Sequence, residues 1–287
     1  VNDGALNLLF IGNQSLDHPH PMTNFWQTLL NFAQTTTEEV GQQLMLDFGS
    51  VQASEKSDGS LVTQSDQWAD EEIRHRINNS FPEHGLLSEE GEHLFPATDW
   101  CWIIDPIDGT TNFTRGVPIW GILMGLLYRG MPVFGYVHLP PLNQSFHGFW
   151  LENTGLTGPT GAFRNQQPIH PSLDAPSSQH FFNVCTRSTA IIPNIPCKIR
   201  LMGMAGYNFL MVASGAAIGG VEATPKVWDI APLWPILKAA GVVWTPLNPE
   251  PIFPLQPGQD YGHRSYPILV MSQKQWVSQF LPLVQGL

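Results

Sequence analysis

The chain has 287 residues, 43% of them hydrophobic and only 13% charged, with a formal net charge of −11. That length and apolar share provide for a large buried core and exclude a disordered chain, and the acidic balance repels phosphate backbones and argues against a nucleic-acid partner. Three cysteines, an odd number with no CxxC pair, exclude a disulfide framework and a zinc ribbon and fit buried free thiols in a reducing compartment.

The opening stretch, about residues 1–20, is irregular and flanked by prolines. Its apolar run LNLLFIG follows no basic segment and does not read as a signal peptide. From Thr23 the pattern turns helical, with Trp26, Leu29, Leu30, Ala33, Val40, Leu44 and Phe48 on the apolar positions. SEKSDGS breaks it. Ala69, Ile73 and Ile77 then repeat every four residues, which predicts a second helix from Asp66 or Gln67. HGLLSEEGE reads as a short buried strand, Leu86–Leu87, that ends in acids, and WCWIID as a stronger strand that ends the same way. IWGILMGLLY, PVFGYVHLP and QSFHGFWL predict an antiparallel meander. A zone rich in Gly, Pro, Asn and Ser from Thr154 to Gln179 marks a join between two lobes, 22–155 and 156–287. HFFNVCT, IGGVEA, VVWTPL and YPILVMS read as strands. GMAGYNFLMVASG reads as a helix ending at Gly215, WDIAPLWPILKAAG as one helix and QKQWVSQFLPLVQ as another. The longest apolar run is too short to cross a bilayer, so a soluble cytoplasmic protein with no membrane partner is expected.

The acids carry the chemistry. Asp105 follows Trp102-Ile103-Ile104, Asp108 comes three residues later past Pro106, Glu89 and Glu90 end the other short apolar run, and Asp229 follows Trp228 at the start of a helix. An apolar strand presents a carboxylate at its tip only if something offsets the cost of desolvation. No Lys or Arg lies between Arg76 and Arg115, so local ion pairs are not at hand, and hard divalent cations, which take oxygen ligands, fit better. In the turn that follows, Pro106 restrains the backbone and Gly109 permits close approach of a ligand. The amides of Gly109, Thr110 and Thr111 then offer an anion site. Taken alone, Asp108 and Thr110 could simply cap a helix; the nine-residue run DPIDGTTNF is more than a cap needs. Neither GxSxG nor a P-loop GxxxxGK[ST] is present, which removes the main support for a serine elbow or P-loop nucleotide hydrolysis.

DPIDGTTNF resembles the signature of the inositol monophosphatase family of Mg²⁺-dependent, lithium-sensitive phosphatases. KSDGSLVTQSD, GLLSEEGE, GMAGYNFLMVASG and VWDIAPLWPILKAAG follow the order of that family's other blocks, from about Thr23 to near the C-terminus. The resemblance implies an α/β fold, the layered α-β-α-β-α sandwich of the sugar-phosphatase (inositol monophosphatase/fructose-1,6-bisphosphatase) type, over residues 22–287. It also implies two or three Mg²⁺ ions, a small phosphate ester as substrate and a homodimer. By the same resemblance Glu89 is a ligand shared among metal sites, Asp105 the bridging ligand, and Asp108 and Asp229 ligands of the second ion, with the Ile107 carbonyl on the first. Asp66 pairs with Thr110 to activate the attacking water, Glu90 is the acid behind the ligands, and Lys56 lies on a mobile loop near the site. Gly109 and Thr110 give amides to the phosphate.

On the substrate side the resemblance points to the segment Gly203, Met204 and Ala205 and to Glu222, which matches a glutamate that contacts substrate hydroxyls. Two positions depart from the pattern. Ser88 replaces a common glycine before the acid pair, and Met204 puts apolar bulk where inositol-specific members have a small polar residue. The expected activity is metal-assisted hydrolysis of myo-inositol monophosphate. Histidinol phosphate, fructose 1,6-bisphosphate and adenosine 3'-phosphate are alternative substrates, and a non-catalytic phosphate-binding relative is an alternative of another class.

Overall fold

The computed structural model describes residues 21–56, 59 and 61–285; the irregular stretch expected for residues 1–20 lies outside them. Helix α1 (Pro21–Asp47) buries Trp26, Leu29, Ala33, Val40 and Leu44. Strands β1 (Ser54–Glu55) and β2 (Leu61–Val62) pair as a short antiparallel ribbon. Helix α2 (Gln64–Ser80) starts two or three residues before its predicted position. Thr63 is its N-cap: the hydroxyl accepts from the amides of Ser65 and Asp66, while the Asp66 carboxylate accepts from the Thr63 amide at 2.8 Å. This reciprocal capping box fixes where the helix begins.

A seven-stranded sheet follows in chain order: β3 (Gly85–Ser88), β4 (Trp100–Asp108), β5 (Gly121–Tyr128), β6 (Met131–Leu139), β7 (Gln144–Phe149), β8 (Gly161–Arg164) and β9 (Gln167–Pro168). One turn of helix, α3 (Thr110–Thr114), separates β4 from β5. Only the β3–β4 pair is parallel; the rest is the expected meander, lengthened by β8 and β9. Because those two strands belong to the first sheet, the change of sheet comes after Pro168 and not at residue 155. The second sheet has the order β11-β10-β12-β14-β13. It is built from β10 (Phe181–Val184), β11 (Lys198–Arg200), β12 (Gly219–Glu222), β13 (Val243–Pro246) and β14 (Ile268–Met271). Helix α4 (Ala205–Ala213) precedes β12, α5 (Val227–Ile230) and α6 (Leu233–Ala240) follow it, and α7 (Lys274–Val284) ends the described chain.

Three apolar layers hold these elements together. One lies between α1, α2 and the first sheet. A second lies between that sheet and α4–α6. The third joins the second sheet to α7. The result is the α-β-α-β-α sandwich. The predicted single helix over WDIAPLWPILKAAG is instead two, since the chain turns at Ala231-Pro232 and Pro232 has no amide to continue the α5 ladder. The break lets the start of α6 lie directly on the first sheet. Gly125, Gly135 and Gly148 face one another across β5, β6 and β7. A Cβ on Gly135 would stand 1.8 Å from the Pro232 carbonyl oxygen, and one on Gly148 2.6 Å from Cα of Ile236. Gly135→Ala is therefore expected to destabilise the protein by about 2–3 kcal/mol through overpacking, read as a lower urea midpoint at unchanged slope. Gly241→Ala, where nothing lies within 4 Å of the added carbon but φ is 94°, serves as the comparison and should cost about 1 kcal/mol from backbone conformation alone.

Candidate active site

Trp102, Ile103 and Ile104 are fully buried, and β4 carries Asp105 to its tip in the same surroundings, at 1% exposure. A register shift between Asp105 and Asp108 bends the strand end. The Asp105 carboxylate accepts from the Ile107 amide at 3.0 Å. Gly109 then turns in the left-handed region, φ 91°, and no side chain caps α3, so neither Asp108 nor Thr110 is consumed as its cap. Parallel pairing of β3 with β4 places Glu89 alongside, its amide donating to the Ile104 carbonyl at 3.2 Å. Asp229 arrives from α5, where one carboxylate oxygen accepts from the Lys226 amide. Oxygens of Asp105, Asp108 and Asp229 lie within 4.8 Å of one another. Asp108 is also held by the start of α4, whose Gly206 amide donates to Oδ2 at 2.7 Å.

Burial sets the electrostatics. It pushes the Glu89 carboxyl up to about 7, against the pull of Lys56. Asp108 also rises to about 7, by burial against the Gly206 amide, and Asp229 to about 7, by burial and the charge of Asp108. Asp105, whose neighbours are Glu89, Asp108 and Asp229, is held well above the usual carboxylate range, first by burial and then by their charges. Acids so placed resist ionising together unless a cation joins them. The donor set is all oxygen, hard and anionic, which fits a divalent ion such as Mg²⁺ or Ca²⁺ and not a thiolate-loving metal.

The expectation that no basic residue pairs with these acids holds only along the sequence. Lys56, between β1 and β2, reaches across to Glu89 Oε1 at 3.0 Å and Glu90 Oε1 at 2.5 Å. Burial works against its ammonium, but the Glu89 charge and the Glu90 hydrogen bond outweigh it and the pKa is raised. A contact 33 positions apart is invisible to a reading confined to neighbours. The other long-range pair was expected. Thr110 Oγ1 lies 3.3 Å from Asp66 Oδ1 and 3.1 Å from the Ile107 carbonyl. Thr63 holds the remaining Asp66 oxygen with both its amide and its hydroxyl, so the capping box that starts α2 also aims Asp66 at Thr110.

On the substrate side, Gly203 turns at φ 73° and Ala205 opens α4. Asn112 ties this segment to the acid-bearing turn, donating to the carbonyls of Ile119 at 2.7 Å and Met202 at 2.8 Å. The Met204 side chain does not add bulk to a substrate wall as expected. It is 2% exposed and belongs to the apolar layer between sheet and helices, because Gly121 and Gly206 leave room for its methyl. Glu222 closes β12 and is buried, with Oε1 accepting from Asn208 Nδ2 at 2.6 Å. Burial lifts it to about 7, the Asn208 bond opposing and the Asp229 charge adding. Thr63, Asn112 and Asn208, which hold these groups, were not singled out in the sequence. Thr63 was within reach, since Thr-x-x-Asp before a helix is a capping signal; the two asparagines carry no local signal.

A cavity of about 680 Å³ beside Trp26, His147 and Phe149 contains no carboxylate. A smaller one, about 360 Å³, opens onto Glu89 and Asp229.

The chain matches the model of the inositol monophosphatase family over residues 26–284. It is 32% identical over 223 residues to the histidinol-phosphatase of Chlorobaculum parvum, covering 74% of this chain and 83% of that one. It is 32% identical over 225 residues to the fructose-1,6-bisphosphatase/inositol-1-monophosphatase of Thermotoga maritima, covering 74% and 82%. Among solved structures, the IMPase of Thermotoga maritima superposes with a TM-score of 0.76 at 28% identity, over 90% of this chain and 96% of that one. With the DPIDGTTNF turn, the converging acids and the layered fold, these likenesses show that the chain belongs to the inositol monophosphatase family of phosphomonoester hydrolases.

Proposed function

We propose that the protein hydrolyses a small polyol phosphate with the aid of Mg²⁺, myo-inositol monophosphate being the leading substrate. The observation that carries this reading is the convergence of Asp105, Asp108 and Asp229 within 4.8 Å, beside Glu89, in surroundings that disfavour their joint ionisation. Glu89, Asp105, Asp108, Asp229 and the Ile107 carbonyl would hold the ions. Bound there, Mg²⁺ supplies charge for the phosphoryl oxygens and lowers the pKa of a water. The chain's own residues do the rest. Asp66, its second oxygen fixed by Thr63, accepts a hydrogen bond from the Thr110 hydroxyl, which leaves the Thr110 oxygen free to accept a hydrogen bond from the attacking water. Gly109 and Thr110 offer backbone amides to the phosphate. Glu90 keeps Lys56 beside the pocket. Glu222 accepts from leaving-group hydroxyls and is oriented by Asn208. A phosphate-release panel over myo-inositol 1-phosphate, histidinol phosphate, fructose 1,6-bisphosphate and adenosine 3'-phosphate, with Mg²⁺ and with EDTA, tests the reading; release that is indifferent to EDTA contradicts it. Lithium sensitivity, a cytoplasmic setting and a homodimer belong to the same reading through family likeness; among the described residues no helix is long and apolar enough to cross a membrane.

Three outcomes are expected. First, the melting temperature in Mg²⁺ should exceed that in EDTA by a margin that widens from pH 5 to pH 8. A carboxyl raised to about 7 in the fold contributes its stability below its unfolded pKa and loses it as pH rises toward 7, and the ion compensates only where the acids are ionised. His84 and His147, pushed down to about 4 by burial, lose stability in the opposite direction as pH falls below about 6.5. They do so equally in both buffers, so the difference isolates the acids. Asp105→Asn should abolish the margin. Second, Thr110→Ala should lower kcat about 10²-fold or more while leaving that margin nearly intact; unchanged turnover removes Thr110 from water activation. Third, Glu222→Gln should raise KM for inositol 1-phosphate about tenfold and that for p-nitrophenyl phosphate much less. Equal effects on both would mean that Glu222 does not read the leaving group.

A further inference from the structure

Glu89 and Glu90 stand at the centre of a tight turn, which the Gly91 amide closes on the Ser88 carbonyl at 3.3 Å. The turn follows directly on β3, and Ser88, the last residue of that strand, is fully buried. A glycine at this position would offer no side chain. The serine hydroxyl accepts from Arg74 Nη2 at 2.9 Å. The same Nη2 donates to Asp70 Oδ2 at 3.1 Å, one turn back along α2. The guanidinium also lies against Gly91, where an added Cβ would stand 2.1 Å from Nη2. Arg74 therefore touches both ends of the turn. Among the described residues its ion pair is with Asp70, whereas Glu89 and Glu90 pair with Lys56.

Asp70 keeps the guanidinium in place. Its carboxylate is 5% exposed and its Oδ1 meets no hydrogen-bond donor among the described residues, so the pair with Arg74 is what compensates its burial. Helix α2 carries Asp66 in its first turn and Arg74 about two turns on. The first reaches Thr110 beyond the end of β4, the second Ser88 at the end of β3. We propose that Arg74 is a positioning residue for the ion site: held by Asp70, it fixes the Ser88–Gly91 turn through the Ser88 hydroxyl, aims Glu89 at the ions and sets that turn against the helix that carries Asp66. This rests on the Mg²⁺-assisted reading above and extends it to a residue outside the ligand set. Charge alone predicts the opposite effect. A guanidinium near acids opposes a cation, so its removal would tighten Mg²⁺ binding. Loss of a brace loosens it, because groups that orient metal ligands are worth about 10–100-fold in metal affinity.

The test follows the melting temperature of the full chain from EDTA through a Mg²⁺ series, in which each protein's rise above its own EDTA value reports its Mg²⁺ affinity. Arg74→Met should need about tenfold more Mg²⁺ than the wild type for the same rise. Ser88→Ala, which keeps every charge, should need about fivefold more, and it carries the test if Arg74→Met does not fold. The double variant should need no more than Arg74→Met, because both changes break one contact. Arg76→Met is the comparison: it removes an arginine of the same helix that pairs with Glu39 and Glu72. It should lower the melting temperature in EDTA and leave the Mg²⁺ requirement within about twofold of wild type. A requirement unchanged or reduced in Arg74→Met and Ser88→Ala, one raised equally by Arg76→Met, or losses that multiply in the double variant would overturn the brace while the phosphatase reading stands. A wild type whose melting temperature does not rise with Mg²⁺ overturns both.

Discussion

Four carboxylates gathered at one site, Asp105 and Asp108 buried and Glu89 and Asp229 half-buried, repel each other and lack the solvation that would let them ionise together, and the surrounding structure is organised around that conflict. Asp105 cannot move away from the others because β4 is buried along its length and pinned between β3 and β5. Asp108 is tied to the start of α4 through the Gly206 amide, and Asp229 to the Lys226 amide. Hydrogen bonds of this kind stabilise the charged form, yet the acids remain shifted upward, so the site is built to receive positive charge from outside. Lys56 answers part of the demand at Glu89 and Glu90 only.

The helices meet the same constraint from the other side. Asp229 lies on the one-turn helix α5, immediately before Pro232 opens α6. The glycines at 125, 135 and 148, lacking side chains, let the backbone at Pro232 and Ile236 touch the sheet. Asp66 shows similar economy. Its carboxylate belongs to the capping box of α2 and to the contact with Thr110, so the start of a helix and the Asp66–Thr110 pairing are fixed by the same atoms.

Much of this was legible in the sequence where the signal is local. Periodicity gave α1, α2 and the meander, and the acids at the ends of apolar runs marked the site. The resemblance supplied the pairing of residues 66 and 110. What was not legible depends on distant neighbours. The resemblance placed Lys56 on a loop near the site, but its pairing with Glu89 and Glu90 joins residues 33 and 34 positions apart and has no local signal. Met204 looked exposed to substrate because nothing in GMAG shows that Gly121, more than eighty positions earlier, makes room for its methyl. The split of α5 from α6 was signalled by Pro232, but the apolar periodicity on both sides concealed it. Strands β8 and β9 fell within a turn-rich zone and are short, so pairing, of β8 with β7 and of β9 with β8, and not composition makes them strands.

The docking of α6 on the glycine stripe also dictates when the site can exist. The first sheet is complete by Pro168, with three of the acids already in place, but the fourth belongs to the helical layer that comes after β12. During synthesis a chain can therefore fold its first sheet, and even gather Glu89, Asp105 and Asp108, before the acidic cluster is complete. The last member, Asp229, arrives only with α5, just ahead of the α6 segment that seats on β5, β6 and β7. Completion of the cluster is thus a late event in the life of the nascent polypeptide, and a chain truncated before Asp229 would hold only three of the four acids.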